Sequence, residues 1–345
     1  EQIEDTMAED ILKEIYQDFK ENSKEDWIQQ ANKDLKDKNI SDIDWQLNAE
    51  ITQAAYYAAS DLPTLDHSSL KQHNPDWQVG EHYMVEDFKV TNTQLLKDLM
   101  HGLNAPVLSF KNSPSLADFK DLFKEVGLEH IFIHFDSTDN QVYLAWQALL
   151  AESKVQNTQA YFRLETDLDA VEKSEHIDAR SFYSNTAGIH KELKHSIQAV
   201  RAILLTSEDK QSAVDQIHFS FFVDKSYLAS IAKLRAIKLL WISLMKENGL
   251  SENLPFISVE FAPSAYGSDE QDNLINATSM AMSAVIGGAN HLIVRPTSET
   301  STALRLARNI QLILKYESGL NKVADPAQGS YYVESLTSKL VNYCS

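Results

Sequence analysis

Glycine is scarce in this 345-residue chain, at 10 residues, where an average composition of about 7% would give more than twice as many. No GxGxxG, GxxxxGKS/T or GxSxG occurs. Backbone cradles for phosphate and nucleophile elbows need glycine at those spacings, so a Rossmann site, a P-loop and a serine-hydrolase elbow are excluded. Cysteine is nearly absent: Cys344 stands alone. That excludes an internal disulfide, a thiolate zinc site and an iron–sulfur cluster, and it suits a reducing cytoplasmic setting. Basic charge is short, with 31 Lys+Arg against 50 Asp+Glu and a net charge of −19, a poor match for nucleic acid or anionic lipid. No run approaches the ~20 apolar residues of a membrane span. The opening EQIEDTMAED is acidic, unlike a secretory or mitochondrial leader. The chain starts without Met and stops at Tyr343-Cys344-Ser345 within a helical pattern, as a piece of a longer polypeptide would.

What is present is an ordinary globular composition, 43% hydrophobic and 23% charged. Its length fits about two domains of ~150 residues, or one α/β barrel with additions. Residues 9–21 set Ile11, Leu12, Ile15, Tyr16 and Phe19 on one helical face. Ser23, with Asp26 three residues on, predicts a capped second helix carrying Trp27, Ala31 and Leu35. From residue 76 strands and helices alternate. Strands are predicted at 77–85, 105–110, 130–136, 160–166, 180–184, 217–223, 256–262 and 291–296. Helices are predicted at 91–101, 114–126, 139–153, 188–204, 225–247, 270–286 and 299–317, with a short one at 168–175 and another at 331–343. Strands separated by helices imply βαβ units and a parallel sheet, and eight such units close a (β/α)8 TIM barrel. The strands are apolar on both faces, as a sheet covered by helices requires.

Barrel chemistry sits at the carboxyl ends of the strands. There the sequence places Glu86, Asp87, Lys111, Asp136, Glu165, Asp167, Asn185, Asp224, Tyr266 and Arg295. Converging acids could bind a hard cation or run acid–base chemistry. Asp136, Asp167 and Asp224 also each precede a helix, where a carboxylate caps free N–H groups. The histidines form no HxH or HExxH. His190 and His195 are five apart and face different sides of a helix, while His134 and His218 sit inside strands as expected core residues with satisfied hydrogen bonds.

The carboxyl-terminal half carries ordered motifs: LASIAKLRAIKLLW at 228–241, SDEQDNLINATSMAMSAVIGGANHL at 268–292, and RLARNIQLILKYESGLNKVADPAQGSYYVESLT at 305–337. The most specific pieces are Ala307-Arg308-Asn309 with Gln311, then Glu317-Ser318, Ala324-Asp325-Pro326, Gly329-Ser330-Tyr331 and Glu334. Together they resemble the acyl-CoA-binding barrel of adenosylcobalamin-dependent methylmalonyl-CoA mutases. The run from Phe19 to Trp45 is similar to the arm with which the family's small subunit wraps its partner.

The resemblance implies a catalytic pattern that this chain departs from. The Tyr-Ala-Gly-Phe-Ser-Thr motif of catalytic members is missing. The third and fourth strands end in HFDSTDN and RLETDL instead of a Gln-Asn-Asp segment. Tyr183 falls where catalytic members carry a histidine, Gln216 and His218 where they carry Arg and Ser, and Glu260 where a second histidine belongs. The resemblance therefore implies a non-catalytic small subunit in a heterodimer. Adenosylcobalamin is expected on the large partner subunit and not on this segment, which contains no Asp-x-His-x-x-Gly. No catalytic, cofactor or metal residues are expected here, and no coenzyme A binding, because bulky strand residues should fill the barrel axis. The expected division is an arm at 1–70, the barrel at 71–320 and a linker with its helix at 321–345. Two alternatives stand beside this reading: an active acyl-CoA mutase barrel, and an unrelated metal-dependent TIM-barrel enzyme using Asp136, Asp167 and Asp224.

Overall fold

A computed structural model describes residues 22–344 except 63–67, 69, 71–73, 154, 156 and 163–175. The expected helices at 9–21 and 168–175 lie outside the described residues, as do Glu165 and Asp167. The chain divides into two compact units, 1–62 and 63–345.

In the smaller unit, helix α1 (Lys24–Leu35) starts at Ser23. Its side chain accepts from the Asp26 N–H while the Asp26 carboxylate accepts from the Ser23 N–H, so two of the free donors of the first turn are satisfied. Trp27 stacks on Tyr56 with ring centroids 4.7 Å apart, and Lys24 pairs with Asp61 at 2.6 Å. A two-residue antiparallel ladder joins Trp45–Gln46 to Thr52–Gln53.

The larger unit begins its alternation with β1 (Gln78–Val85), α2 (Phe88–Leu99), β2 (Ala105–Phe110), α3 (Leu116–Leu122), β3 (Phe132–Phe135), α4 (Asn140–Ser153) and β4 (Gln159–Phe162). It continues with β5 (His176–Asp178), α5 (Ile189–Thr206), α6 (Lys210–Asp215), β6 (His218–Val223), α7 (Tyr227–Asn248), β7 (Phe256–Phe261), α8 (Glu270–Ile286), β8 (His291–Ile293), α9 (Ser301–Leu312) and α10 (Tyr331–Cys344). The eight strands form one parallel sheet in the order β4-β3-β2-β1-β8-β7-β6-β5. Apart from β4 and β5, consecutive strands lie side by side, and β1 pairs with β8, which is the ordering of a (β/α)8 TIM-like barrel. Between β4 and β5 no pairing occurs among the described residues, so the barrel is nearly closed.

The fifth strand differs from expectation. It is His176–Asp178, and 179–182 is a 3-10 turn instead of a strand. The Asp178 carboxylate accepts from both the backbone N–H and the Nε–H of Arg180, which curls the chain there. The alternation in RSFYS mimicked a strand without having a ladder to join.

Strand periodicity sorts the side chains. Ile133, Phe135 and Phe162 point out to the helices and join one cluster with Phe119, Phe123 and Trp146. Phe219 meets Trp241 of α7. The alternate residues fill the axis. Phe132, Tyr161 and Phe256 stack within 5.2 Å of one another, below a layer containing His134, His176, His218 and His291.

Helix α7 is buried on nearly all sides, and Gly249 ends it in the left-handed conformation at φ 66°. Its three buried cations each find fixed partners. Lys233 donates to Glu192 and to the Phe222 carbonyl. Lys238 donates to the carbonyls of Gly287 and Gly288. Arg235 binds Asp325 and Glu334, tying α7 to α10. On the other side of the barrel, Arg308 bridges Glu81 and Asp98, Gln311 donates to the Gly80 carbonyl and Lys315 to that of Trp77.

Candidate functional site

At the carboxyl ends of the strands lies a cavity of about 990 Å³, lined among others by His82, Asp136, Asp178, Arg180, Glu260 and Arg295. Arg180 dominates it. The 3-10 turn after β5 swings its guanidinium back over the barrel mouth, where its side chain is only 9% exposed. Nε donates to Asp178 at 2.7 Å, Nη1 to Glu260 at 3.0 Å, and Nη2 to Asp178 at 3.1 Å and Asp136 at 3.5 Å. The planar fork is matched on three edges by carboxylates, the arrangement in which arginine binds most tightly. Desolvation works against the charge, but the three acids outweigh it and raise the guanidinium further above its already high value. A cation does therefore stand at the barrel mouth, after β5 and not in the sixth strand, yet its donors are already committed to the chain's own acids.

The other predicted residues take separate structural roles. Asp224 accepts from the hydroxyls of Tyr183 and Thr186 and from the Ser226 N–H ahead of α7. Burial and that carboxylate push the Tyr183 hydroxyl up to about 12, making it a poorer proton donor than a free tyrosine. Asp136 belongs to the Arg180 cluster, so it and Asp224 serve different networks. Glu86 and Lys111 form an exposed pair at 3.1 Å. Asp87 caps α2, Asn185 accepts from the Gly188 N–H, and the Tyr266 hydroxyl donates to the Arg295 carbonyl. Glu81, beneath the cavity, is lifted by burial to about 7 although Arg308 opposes the shift. On α5, His195 bonds the Lys191 carbonyl and His190 packs on Tyr343.

The histidine layer below the cavity departs most from expectation. His291 is satisfied, with Ser258 Oγ on Nδ1 and the Ala105 carbonyl on Nε2. His134 and His218 are fully buried, and among the described residues nothing hydrogen-bonds either nitrogen of either ring. They are core residues but not satisfied ones. With His176, whose Nε2 lies 2.8 Å from Ser220 Oγ, they form the only group of histidine, cysteine or acidic side chains among the described residues close enough to share an ion. The signal was a repeated pattern, His134-Phe135-Asp136, His176-Ile177-Asp178 and His218-Phe219-Ser220, hidden because the fifth strand was placed four residues late.

Fold and site together define a parallel eight-stranded barrel with a histidine layer on its axis and a carboxylate-clamped arginine at its mouth. Residues 185–345 match the family model for methylmalonyl-CoA mutase, so over that segment the chain is similar to that family. It is 37% identical over 150 residues to the methylmalonyl-CoA mutase of Rhizobium meliloti, covering 41% of this chain and 21% of the relative. It is 25% identical over 400 aligned positions to that of Cereibacter sphaeroides, covering 91% of this chain and 56% of the relative. With the methylmalonyl-CoA mutase small subunit of Porphyromonas gingivalis it shares 32% over 140 residues, 38% of this chain and 23% of that one. The chain thus spans from about a fifth to a little over half of these curated relatives. No helix among the described residues is long and apolar enough to cross a membrane.

Proposed function

We propose that this chain is the barrel part of a non-catalytic small subunit, which assembles with and stabilises a large subunit interconverting methylmalonyl-CoA and succinyl-CoA. The observation that carries the reading is the Arg180 clamp. A mutase barrel must offer a cation to its substrate's carboxylate and a passage to the coenzyme A arm. Here the guanidinium is neutralised by Asp136, Asp178 and Glu260, and an incoming carboxylate would have to displace one of them against the repulsion of the rest. The axis is filled by Phe132, Tyr161, Phe256 and the histidine layer, where a threading pantetheine arm would need small side chains.

Adenosylcobalamin does not fit the residues present. On the axis His134, His218 and His291 are buried and His176 is engaged by Ser220 Oγ at 2.8 Å, while His82, the cavity's exposed imidazole, is engaged by Ser109 Oγ at 2.9 Å. The cofactor in this reading belongs to the partner. Three measurements test the proposal. The chain should co-purify with the large subunit, and it should lose that partner on deletion of residues 1–45, since subunit interfaces of this obligate kind commonly bury 2,000–5,000 Å². Titration calorimetry of the isolated chain with succinyl-CoA should show no saturable heat up to millimolar ligand, about 4 kcal/mol of binding. A micromolar acyl-CoA site, or turnover by the isolated chain supplied with adenosylcobalamin, would overturn it.

A further inference from the structure

We propose that His134, His176 and His218 form a binding site for a divalent transition metal, with Zn2+ as the natural probe. The three rings project from β3, β5 and β6 into the barrel, and each offers a nitrogen such that all three lie within 4.8 Å of one another. His176 and His218 are register partners on adjacent strands with stacked rings. His134 faces both from across the axis, at 5.4 and 5.3 Å between ring centroids. A tetrahedral ion with Zn–N bonds of ~2.0–2.1 Å holds its ligands about 3.4 Å apart, so side-chain rotations that close the widest gap by about 1.4 Å complete the triad.

Three observations converge on that ion. The interior of such a barrel is ordinarily branched aliphatic packing, yet here both nitrogens of His134 and both of His218 are fully buried without a hydrogen bond among the described residues. Buried polar atoms left in that state call for a partner. Ser220 Oγ sits 2.8 Å from His176 Nε2, the kind of outer hydrogen bond that fixes which ring nitrogen faces a metal. One layer above, Asp136, Asp178 and Glu260 outnumber Arg180 three to one, leaving a surplus of negative charge over the triad. His176 is only partly buried, and three protein ligands leave the fourth position of a tetrahedral ion to a water molecule. Three imidazoles and an open site suit borderline ions such as Zn2+ and Co2+ rather than Mg2+ or Ca2+.

The test uses the full chain purified without a polyhistidine tag. After chelation, titration with Co2+ should give the ligand-field absorption of a four-coordinate site, saturating at one equivalent and displaced by Zn2+. His134→Phe and His218→Phe should each weaken binding at least about tenfold, with near-ultraviolet circular dichroism confirming that they fold. If neither variant folds, zinc X-ray absorption of the unmodified protein decides, and three imidazole scatterers are expected. No saturable binding by the unmodified chain, undiminished affinity in a folded variant, or a zinc shell dominated by carboxylate oxygen would overturn the proposal.

Discussion

Replacing Arg235 by Met removes the cation that joins α7 to the last helix. The Arg235 side chain is 1% exposed, and its partners Asp325 and Glu334 are 5% and 2% exposed. Nε and Nη2 meet the two oxygens of Asp325 at 2.8 and 3.0 Å, Nη2 also meets Glu334 at 3.0 Å, and Nη1 reaches Thr337 at 3.4 Å. Methionine nearly conserves the volume, so little cavity forms. The cost comes from two carboxylates stranded in a dry interface. Breaking a buried pair in this way costs about 3–5 kcal/mol, out of a total stability of about 5–15 kcal/mol. Asp325 also sits at φ 46°, a left-handed conformation that aspartate tolerates only at some cost, so the clamp also holds a strained turn in place. Urea unfolding followed by tryptophan fluorescence should show the midpoint falling in Arg235→Met with the slope unchanged. Adding Asp325→Asn and Glu334→Gln should restore at least half of the loss, because the stranded charges are then gone. A single-variant loss below about 1 kcal/mol, or no recovery in the triple variant, would refute the argument that charge burial governs this joint.

Acid should unfold the protein partly through its axial imidazoles. His134 titrates at about 4 when folded against ~6.5 when unfolded, so the unfolded chain takes up the proton first. The stability this gives is complete above pH ~6.5 and is lost as pH falls toward 4. In chelator, the loss between pH 7.5 and 5 should be smaller in His134→Phe than in the unmodified chain by about 2 kcal/mol, as measured by urea unfolding at the two pH values. At Gly80, an added Cβ would meet His291 Nε2 and lie 2.6 Å from the Leu292 carbonyl oxygen, inside the β1–β8 pairing. Gly80→Ala should therefore destabilise by about 1–3 kcal/mol, and an unchanged melting temperature would show that the strands can part.

The barrel was legible because its strands are short apolar runs and its helices are longer and capped, each visible within ten to twenty residues. Capping at Ser23 was readable for the same reason: the two groups that satisfy each other are three residues apart. The site was harder to read because its parts are remote. Arg180 reaches Glu260 across 80 residues, and the histidine triad needs three strands in register. With β5 placed late, His176 had no face to share with His218. The motifs that carried the family resemblance prove to be scaffold. Arg308 and Gln311 hold the first strand, Asp325 and Glu334 hold Arg235, and Gly287-Gly288 hold Lys238. Their spacing is legible because buried charge permits so few substitutes.

The clasp between α7 and α10 sets a timetable for biosynthesis. Arg235 and Asp325, its first carboxylate partner, are separated by 90 residues, which a ribosome adding about 5–20 residues per second needs roughly 5–18 s to supply. For that interval the helix that is most buried in the finished molecule has left the ribosome with a guanidinium for which no carboxylate yet exists. The first strand waits longer still for its own cross-links, since Glu81 meets Arg308 only after a further 227 residues. The nascent barrel therefore cannot complete these cross-links until α9 and α10 have been made, and until then its unfinished faces stay uncovered.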